Sequence, residues 1–181
     1  MKNMKETGII RRIDDLGRVV IPREIRSKVK IKEGDLLEIH YDDNGVYFQK
    51  HNLIKDFVGV GAKQFIDSLS KITGYMAIIT DLYNIVSVSE ITPISFLGGN
   101  ISSDIQYLFN AEFNNVIYRK SIRLIEESNV SVLISRIIAK NQVEGAVILF
   151  APEMTIGETE AKLIEMTSLC IGKLLESLEN Y

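Results

Sequence analysis

DDLGRVVIPREIR, residues 14–26, packs a turn, a short apolar strand and the basic start of a helix into thirteen residues. Asp14-Asp15-Leu16-Gly17 reads as a turn, with Gly17 free to take positive φ. Arg18 to Ile21 follows as a short strand. Pro22 lacks the amide hydrogen that a first helical turn leaves unpaired anyway, so it suits the opening of a helix over about 22–29. At about 100° per residue, Arg23, Arg26 and Lys30 fall within a narrow arc of that helix, and Ile25 and Val29 fall nearly opposite. One side of the helix is dry and the other is basic.

Upstream, residues 7–13 alternate weakly, with Ile9, Arg11 and Ile13 on one side of a candidate strand and Ile10 and Arg12 on the other. Five arginines thus lie between positions 11 and 26, spread over folded elements instead of bunched in a tail. Downstream, Gly34-Asp35 breaks the chain, Leu37, Ile39 and Tyr41 alternate with polar residues, and Val46, Phe48 and Lys50 begin a returning strand. Asp43-Asn44-Gly45 between them reads as a hairpin turn, with Asn44-Gly45 suited to type I′. Residues 1–50 are therefore expected to hold about four short strands and one short helix. With few large apolar side chains and neither disulfide nor metal to staple it, such a unit lies near the limit for folding alone. A second copy is expected to complete its core.

Charge divides along the chain in the same way. Residues 1–32 carry ten Lys/Arg against four Asp/Glu, a local charge of +6, while residues 51–181 carry ten against fifteen, −5, inside an overall net charge of −3. One end attracts polyanions and the other does not. The single cysteine, Cys170, excludes an internal disulfide framework; it falls in the last helix, where a buried packing role is expected. His40, His51 and Cys170 are too scattered for a zinc pattern, so no structural metal is expected. No apolar run approaches the roughly 18 residues of a membrane span, and MKNMKETG has no signal-peptide core behind its lysines, which makes the cytoplasm the expected compartment.

At 181 residues and 46% hydrophobic content the chain can hold two small domains. The first is placed at 1–52 and the second at 53–181. From about 53 to 73, apolar positions recur at three- to four-residue steps around Gly59-Val60-Gly61, a connecting helix with a possible break; Gly74 would end it. Tyr75 to Thr80 reads as a buried strand, Asp81 to Asn84 as a tight turn and Ile85 to Val88 as its return. Ile101 to Phe109 has helical spacing, and residues 115–127 suit helix or strand. Val130 to Ile138 and Val143 to Phe150 are two strong strands. Thr155-Ile156-Gly157-Glu158 fits a capping box, followed by a helix of about twenty residues. Its apolar stripe, from Leu163 through Ile171 to Leu178, is broader than one sheet face requires, so a second surface, another subunit, is expected to cover it.

TGIIRRIDDLGRVVIPREIR (7–26), continuing through KIKEGDLLEIHYDDNGVYFQK (30–50), resembles the N-terminal DNA-binding domain of AbrB-type transition-state regulators, and LGRVVIP is the specific part of the match. The resemblance implies that two chains interleave their strands into a swapped-hairpin β-barrel dimer and that arginines contact the DNA. Arg11, Arg18 and Arg26 occupy matching positions. Ser27 stands where many members carry a second arginine; helical geometry puts Arg23 beside it, so Arg23 is added to the candidate DNA-binding set, with Lys28 as a further source of charge. Residues 53–181 are similar to a GAF-class domain in element order and in the stretch GAVILFAPEMTIGETEAKLIE (145–165). That class implies an α/β sandwich that senses small molecules and pairs through its helices.

The expectation is an α+β transcription regulator of sporulation or transition-state genes: a nucleoid-associated homodimer, or a homotetramer through the C-terminal helices, on double-stranded DNA. A small-molecule effector of unknown identity is possible within it, and no cofactor is expected. The alternative is an antitoxin of AbrB/MazE type, against which stand roughly 130 well-patterned C-terminal residues where a short tail is usual. An enzyme is not expected. Gly59-Val60-Gly61 lacks the rest of a dinucleotide fingerprint, Asp14-Asp15 and Glu126-Glu127 read as solvated charges, and the serines have no histidine at a triad-like spacing.

Overall fold

Ala146 to Phe150 is apolar at every position because its strand is covered on both faces, and that burial organises the second half of the molecule. In the computed structural model, which describes residues 7–29, 31–52, 54, 57, 61–110, 115–125 and 129–178, the chain divides into two units between His51 and Asn52.

The first unit holds helix α1 (Arg23–Lys28) and a hairpin of β1 (Leu37–Asp42) and β2 (Gly45–Lys50). Pro22 caps α1 with extended backbone, its carbonyl accepting the Ile25 and Arg26 amides at 3.0 Å. Two of the four expected strands are present. Residues 7–13 and 18–21 are in no strand, because a ladder needs a second row of amides and carbonyls and this chain offers them none. Gly17 has the expected positive φ of 75°. The hairpin turn is not type I′: Asp42 pairs with Gly45, and none of Asp43, Asn44 and Gly45 has positive φ. The Asp42 carboxylate shapes the turn instead, accepting the amides of Asn44 at 2.7 Å and Gly45 at 3.1 Å.

The second unit contains α2 (Lys63–Thr73), β3 (Met76–Thr80), β4 (Ile85–Val88), a 3₁₀ turn (Ile94–Phe96), α3 (Ser103–Asn110), β5 (Val116–Arg123), β6 (Asn129–Ala139), β7 (Gln142–Ala151) and α4 (Glu158–Leu178). Its five strands form one antiparallel sheet in the order β4-β3-β7-β6-β5. Alternate side chains feed two cores. Ala77, Ile79, Leu133, Val147 and Leu149 pack with Ile66 and Leu69 of α2 and Ile164, Ile171 and Leu175 of α4. Ile78, Val132, Ile134, Ile148 and Phe150 pack with Ile105, Leu108 and Phe109 of α3, and Phe150 stacks on Phe96 at 5.4 Å between centroids. The result is a three-layer α/β sandwich.

Within the ambiguous stretch 115–127, Val116–Arg123 is strand β5, with a register break between Arg119 and Ile122 where Ser121 takes φ 49°. The type I′ geometry occurs at Lys140-Asn141, the two-residue link of β6 and β7, with φ of 47° and 61°. The cap of α4 is displaced from its expected place: Glu160 accepts the Gly157 amide at 2.8 Å, while Thr155 exchanges hydrogen bonds with the Tyr75 hydroxyl. The connecting residues Gly59 and Val60, and Glu126-Glu127, lie outside the described residues.

α4 lies close on β6. Ser135 and Ser168, both fully buried, hydrogen-bond at 2.6 Å, and a Cβ placed on Gly172 would fall 2.3 Å from the Ile138 carbonyl oxygen. Gly172→Ala therefore sets a helix-propensity gain of about 1 kcal/mol against a backbone clash. The clash prevails. The variant is expected to lose about 1–3 kcal/mol in chemical denaturation followed by helix signal; unchanged or raised stability would contradict the close approach.

Candidate nucleic-acid interface

The four candidate arginines all lie in the first unit and all are exposed. Arg11 precedes the 14–17 turn and directs Nη1 to its neighbour's carbonyl, Ile10 O, at 3.0 Å. Arg18 leaves the turn. Arg23 and Arg26 sit three apart on α1, hence on one face of the helix. Among the described residues no ion pair holds Arg11, Arg23 or Arg26. Lys30, the third member of the basic arc, lies outside the described residues.

Arg18 is different. The Asp14 carboxylate reaches its Nε at 2.7 Å and also accepts two backbone amides, Arg18 at 2.7 Å and Leu16 at 3.0 Å. The backbone closes the same loop, Asp14 N to Arg18 O at 3.1 Å and Gly17 N to Asp14 O at 3.0 Å. The Arg18 amide, followed by its side chain, holds the Asp14 carboxyl below the usual carboxylate range. Asp14 is thus not the solvated turn charge expected from sequence, and the Asx-turn chemistry of Asp ahead of Leu-Gly is the signal that points to its role.

Around these arginines the apolar side chains stand open. No described residue of 7–51 is buried, and Ile10 at 87%, Ile13 at 69%, Leu16 at 70% and Val20 at 74% are largely exposed. On the hairpin, Ile39, Tyr41, Val46 and Phe48 are exposed as well. That is an unusual share of exposed large apolar side chains for so short a segment. At the foot of the hairpin Glu38 bridges two histidines, His51 Nδ1 at 2.7 Å and His40 Nε2 at 3.1 Å.

The second unit has its own uncovered face. A groove of about 240 Å³ between α2 and α4 is lined by Phe65, Leu69, Ile72, Leu163 and Met166, with Ile72 68% and Met166 57% exposed. Leu169 continues the apolar strip, and Cys170 beside it is exposed, against the buried role expected for it. The buried side of α4 is taken by Ile164, Ser168, Ile171 and Leu175, which leaves position 170 outward.

Comparison with known proteins places this architecture. Residues 58–176 match the family model described as stage V sporulation protein T C-terminal, transcription factor, and residues 10–47 match that of the MazE bacterial antitoxin, antidote-toxin recognition. Stage V sporulation protein T of Bacillus subtilis is 36% identical over 179 residues, 96% of this chain and 99% of the relative. The transition state regulatory protein AbrB of the same organism is 52% identical over 48 residues, 26% of this chain and 50% of the relative. In fold, the GAF-B domain of DevS from Mycobacterium smegmatis covers 70% of this chain and 96% of its own, with a TM-score of 0.56 at 10% identity. An AbrB-type unit joined to a GAF-fold sandwich defines a two-domain transcription regulator. The chain belongs to the stage V sporulation protein T family. Among the described residues no helix is long and apolar enough to cross a membrane.

The Glu38 bridge carries a pH signature. Its hydrogen bond to His51, ahead of the one to His40, lowers the Glu38 pKa, so the carboxylate stabilises the folded hairpin fully above the unfolded carboxylate range and loses that effect as pH falls through the lowered value. Protection of the 37–50 amides, taken as exchange relative to the intrinsic rate at each pH, is expected to fall on acidification in that window, and Glu38→Gln to flatten the response. An identical acid limb in both proteins would contradict the bridge.

Proposed function

We propose that two copies of the chain interleave their N-terminal segments into a swapped-hairpin dimer that binds duplex DNA, with Arg11, Arg18 and Arg26 on phosphates and base edges and Arg23 in support. The observation that carries this reading is the coincidence, in one segment, of an uncovered apolar surface and the chain's positive charge. A second copy would cover the first and double the second. Residues 7–13 and 18–21, without ladder partners in one chain, are the strands that such a dimer would pair. Arginine suits both jobs, as a cation for phosphate and as a fork for guanine edges.

The second unit pairs through the α2–α4 face, which makes a homotetramer with two DNA-binding units, and the whole acts on the nucleoid. A small molecule bound by the GAF-fold unit would tune DNA binding only through unequal affinity for the two arrangements of the regulator. The activity is regulatory, not enzymatic. The MazE match supports an antitoxin as the second reading, yet it ends at residue 47, ahead of a folded domain matched over 58–176 to a transcription-factor family.

Replacing Arg11, Arg18 and Arg26 together by alanine is expected to weaken binding to a selected duplex by more than about a hundredfold with the fold intact. If each dimer neutralises about six phosphates, log K falls against log salt with a slope near about −5. A flat salt response, or unchanged affinity in the triple variant, would sink the reading. In sedimentation the chain is expected to run as a tetramer and Leu169→Asp as a dimer; a stable monomer of the unaltered chain would contradict the shared core.

A further inference from the structure

We propose that Asp14 is a specificity-determining positioning residue, which fixes the Arg18 guanidinium by its Nε edge so that Nη1 and Nη2 face the DNA as a rigid fork. The inference rests on the proposed role of Arg18 in DNA binding. An isolated exposed arginine samples many rotamers and binds phosphate wherever its charge falls, which gives affinity without sequence information. Reading a guanine edge needs two donors held in one plane at one place.

The 14–18 loop supplies that restraint. Asp14 Oδ2 lies 2.7 Å from Arg18 Nε, and Oδ1 is held by the amides of Leu16 and Arg18, so both ends of the arginine, backbone and guanidinium, are tied to one carboxylate. The carboxylate is itself anchored, because Gly17 at φ 75° lets the chain return and donate its amide to Asp14 O. Only Nε is engaged: among the described residues the two terminal nitrogens meet no acceptor, and the Arg18 side chain remains 70% exposed. A lone charge pair this exposed does little for folding. Its effect is on direction. Asp14 also places a negative charge beside the DNA, which costs non-specific affinity; it is tolerable only where orientation is gained.

These two effects separate in Asp14→Asn. The amide oxygen can keep the Leu16 and Arg18 amides, while the amide nitrogen cannot accept from Nε, so the loop persists and the guanidinium is released. The test uses the full chain, a duplex it selects from a random-sequence pool, and poly(dI-dC) as the non-specific duplex. Asp14→Asn is expected to bind the selected duplex about tenfold more weakly and poly(dI-dC) equally or more tightly, with the salt slope on poly(dI-dC) unchanged. Arg18→Ala reports on the underlying role and is expected to weaken both and make the slope shallower. If Asp14→Asn keeps the ratio of the two affinities within twofold while Arg18→Ala lowers selected binding, the positioning role is wrong and the DNA-binding reading stands. Equal losses on both duplexes in Asp14→Asn would assign Asp14 to loop integrity and overturn the inference too. No effect of Arg18→Ala would remove the reading on which it rests.

Discussion

Twelve large apolar side chains between Ile9 and Phe48 lie exposed in a single copy of this chain, and the rest of the DNA-binding architecture depends on how they are covered. Full burial of a side chain such as isoleucine or phenylalanine is worth about 1.5–3 kcal/mol, whereas an exposed charge pair is worth about 1 kcal/mol or less. Burial therefore decides the shape of this unit, and the arginines ride on the surface that burial creates. The segments around Arg11 and Arg18 share this feature, since their amides and carbonyls find no ladder within the chain. In the proposed dimer such a site would assemble only with its scaffold, and diluting the scaffold would dilute the site.

The second unit is organised in the opposite way. Its sheet is covered on both faces within one chain, by α2 and α4 on one side and α3 on the other, so it needs no partner to have a core. Its uncovered apolar strip, from Ile72 across Met166 to Leu169, is a surface on a finished domain. In the proposed assembly the two units would place different demands on a second copy: one would draw from it the cover its apolar side chains lack, the other would offer it a face. Charge follows the same division, with the positive excess confined to the unit whose surface the proposed dimer would shape.

Much of this was legible where burial dictates pattern. β6 and β7 stood out because they are rich in β-branched and other apolar residues, continuous over Ala146–Phe150, and α4 because its apolar positions form a stripe broader than one sheet face requires. The Gly17 turn followed from chemistry that only glycine performs without strain. β5 stayed ambiguous because VIYRKSIR loses its alternation at the irregularity near Ser121, a tertiary feature with no local signature. The type I′ turn fell at Lys140-Asn141, which carries no glycine, while the glycine-bearing turn at 43–45 was claimed by the Asp42 carboxylate. In both hairpins the strands and side chains fixed the turn, overriding its intrinsic preference. The four arginines were legible as a charge excess. The role of Asp14 was not, since its neighbours in space are set by a backbone that doubles back on itself.

The position of that carboxylate follows a general tension in protein–DNA contacts. Charge alone brings a protein to any sequence, and each added cation deepens the competition from the rest of the genome as much as it strengthens the intended site. Order costs side-chain entropy, up to about 2 kcal/mol for a free arginine, and a contact with DNA must meet that cost unless the protein has met it beforehand. In the 14–18 loop Arg18 donates two hydrogen bonds, from its amide and its Nε, to the Asp14 carboxylate, so the arginine is restricted before any DNA arrives. In a regulator with two DNA-binding units, weak oriented contacts gain further from tethering, because the second unit binds at the effective concentration set by the first. Were two such units joined as proposed, side chains restricted in this way would let the protein leave non-specific DNA readily and stay where both units fit.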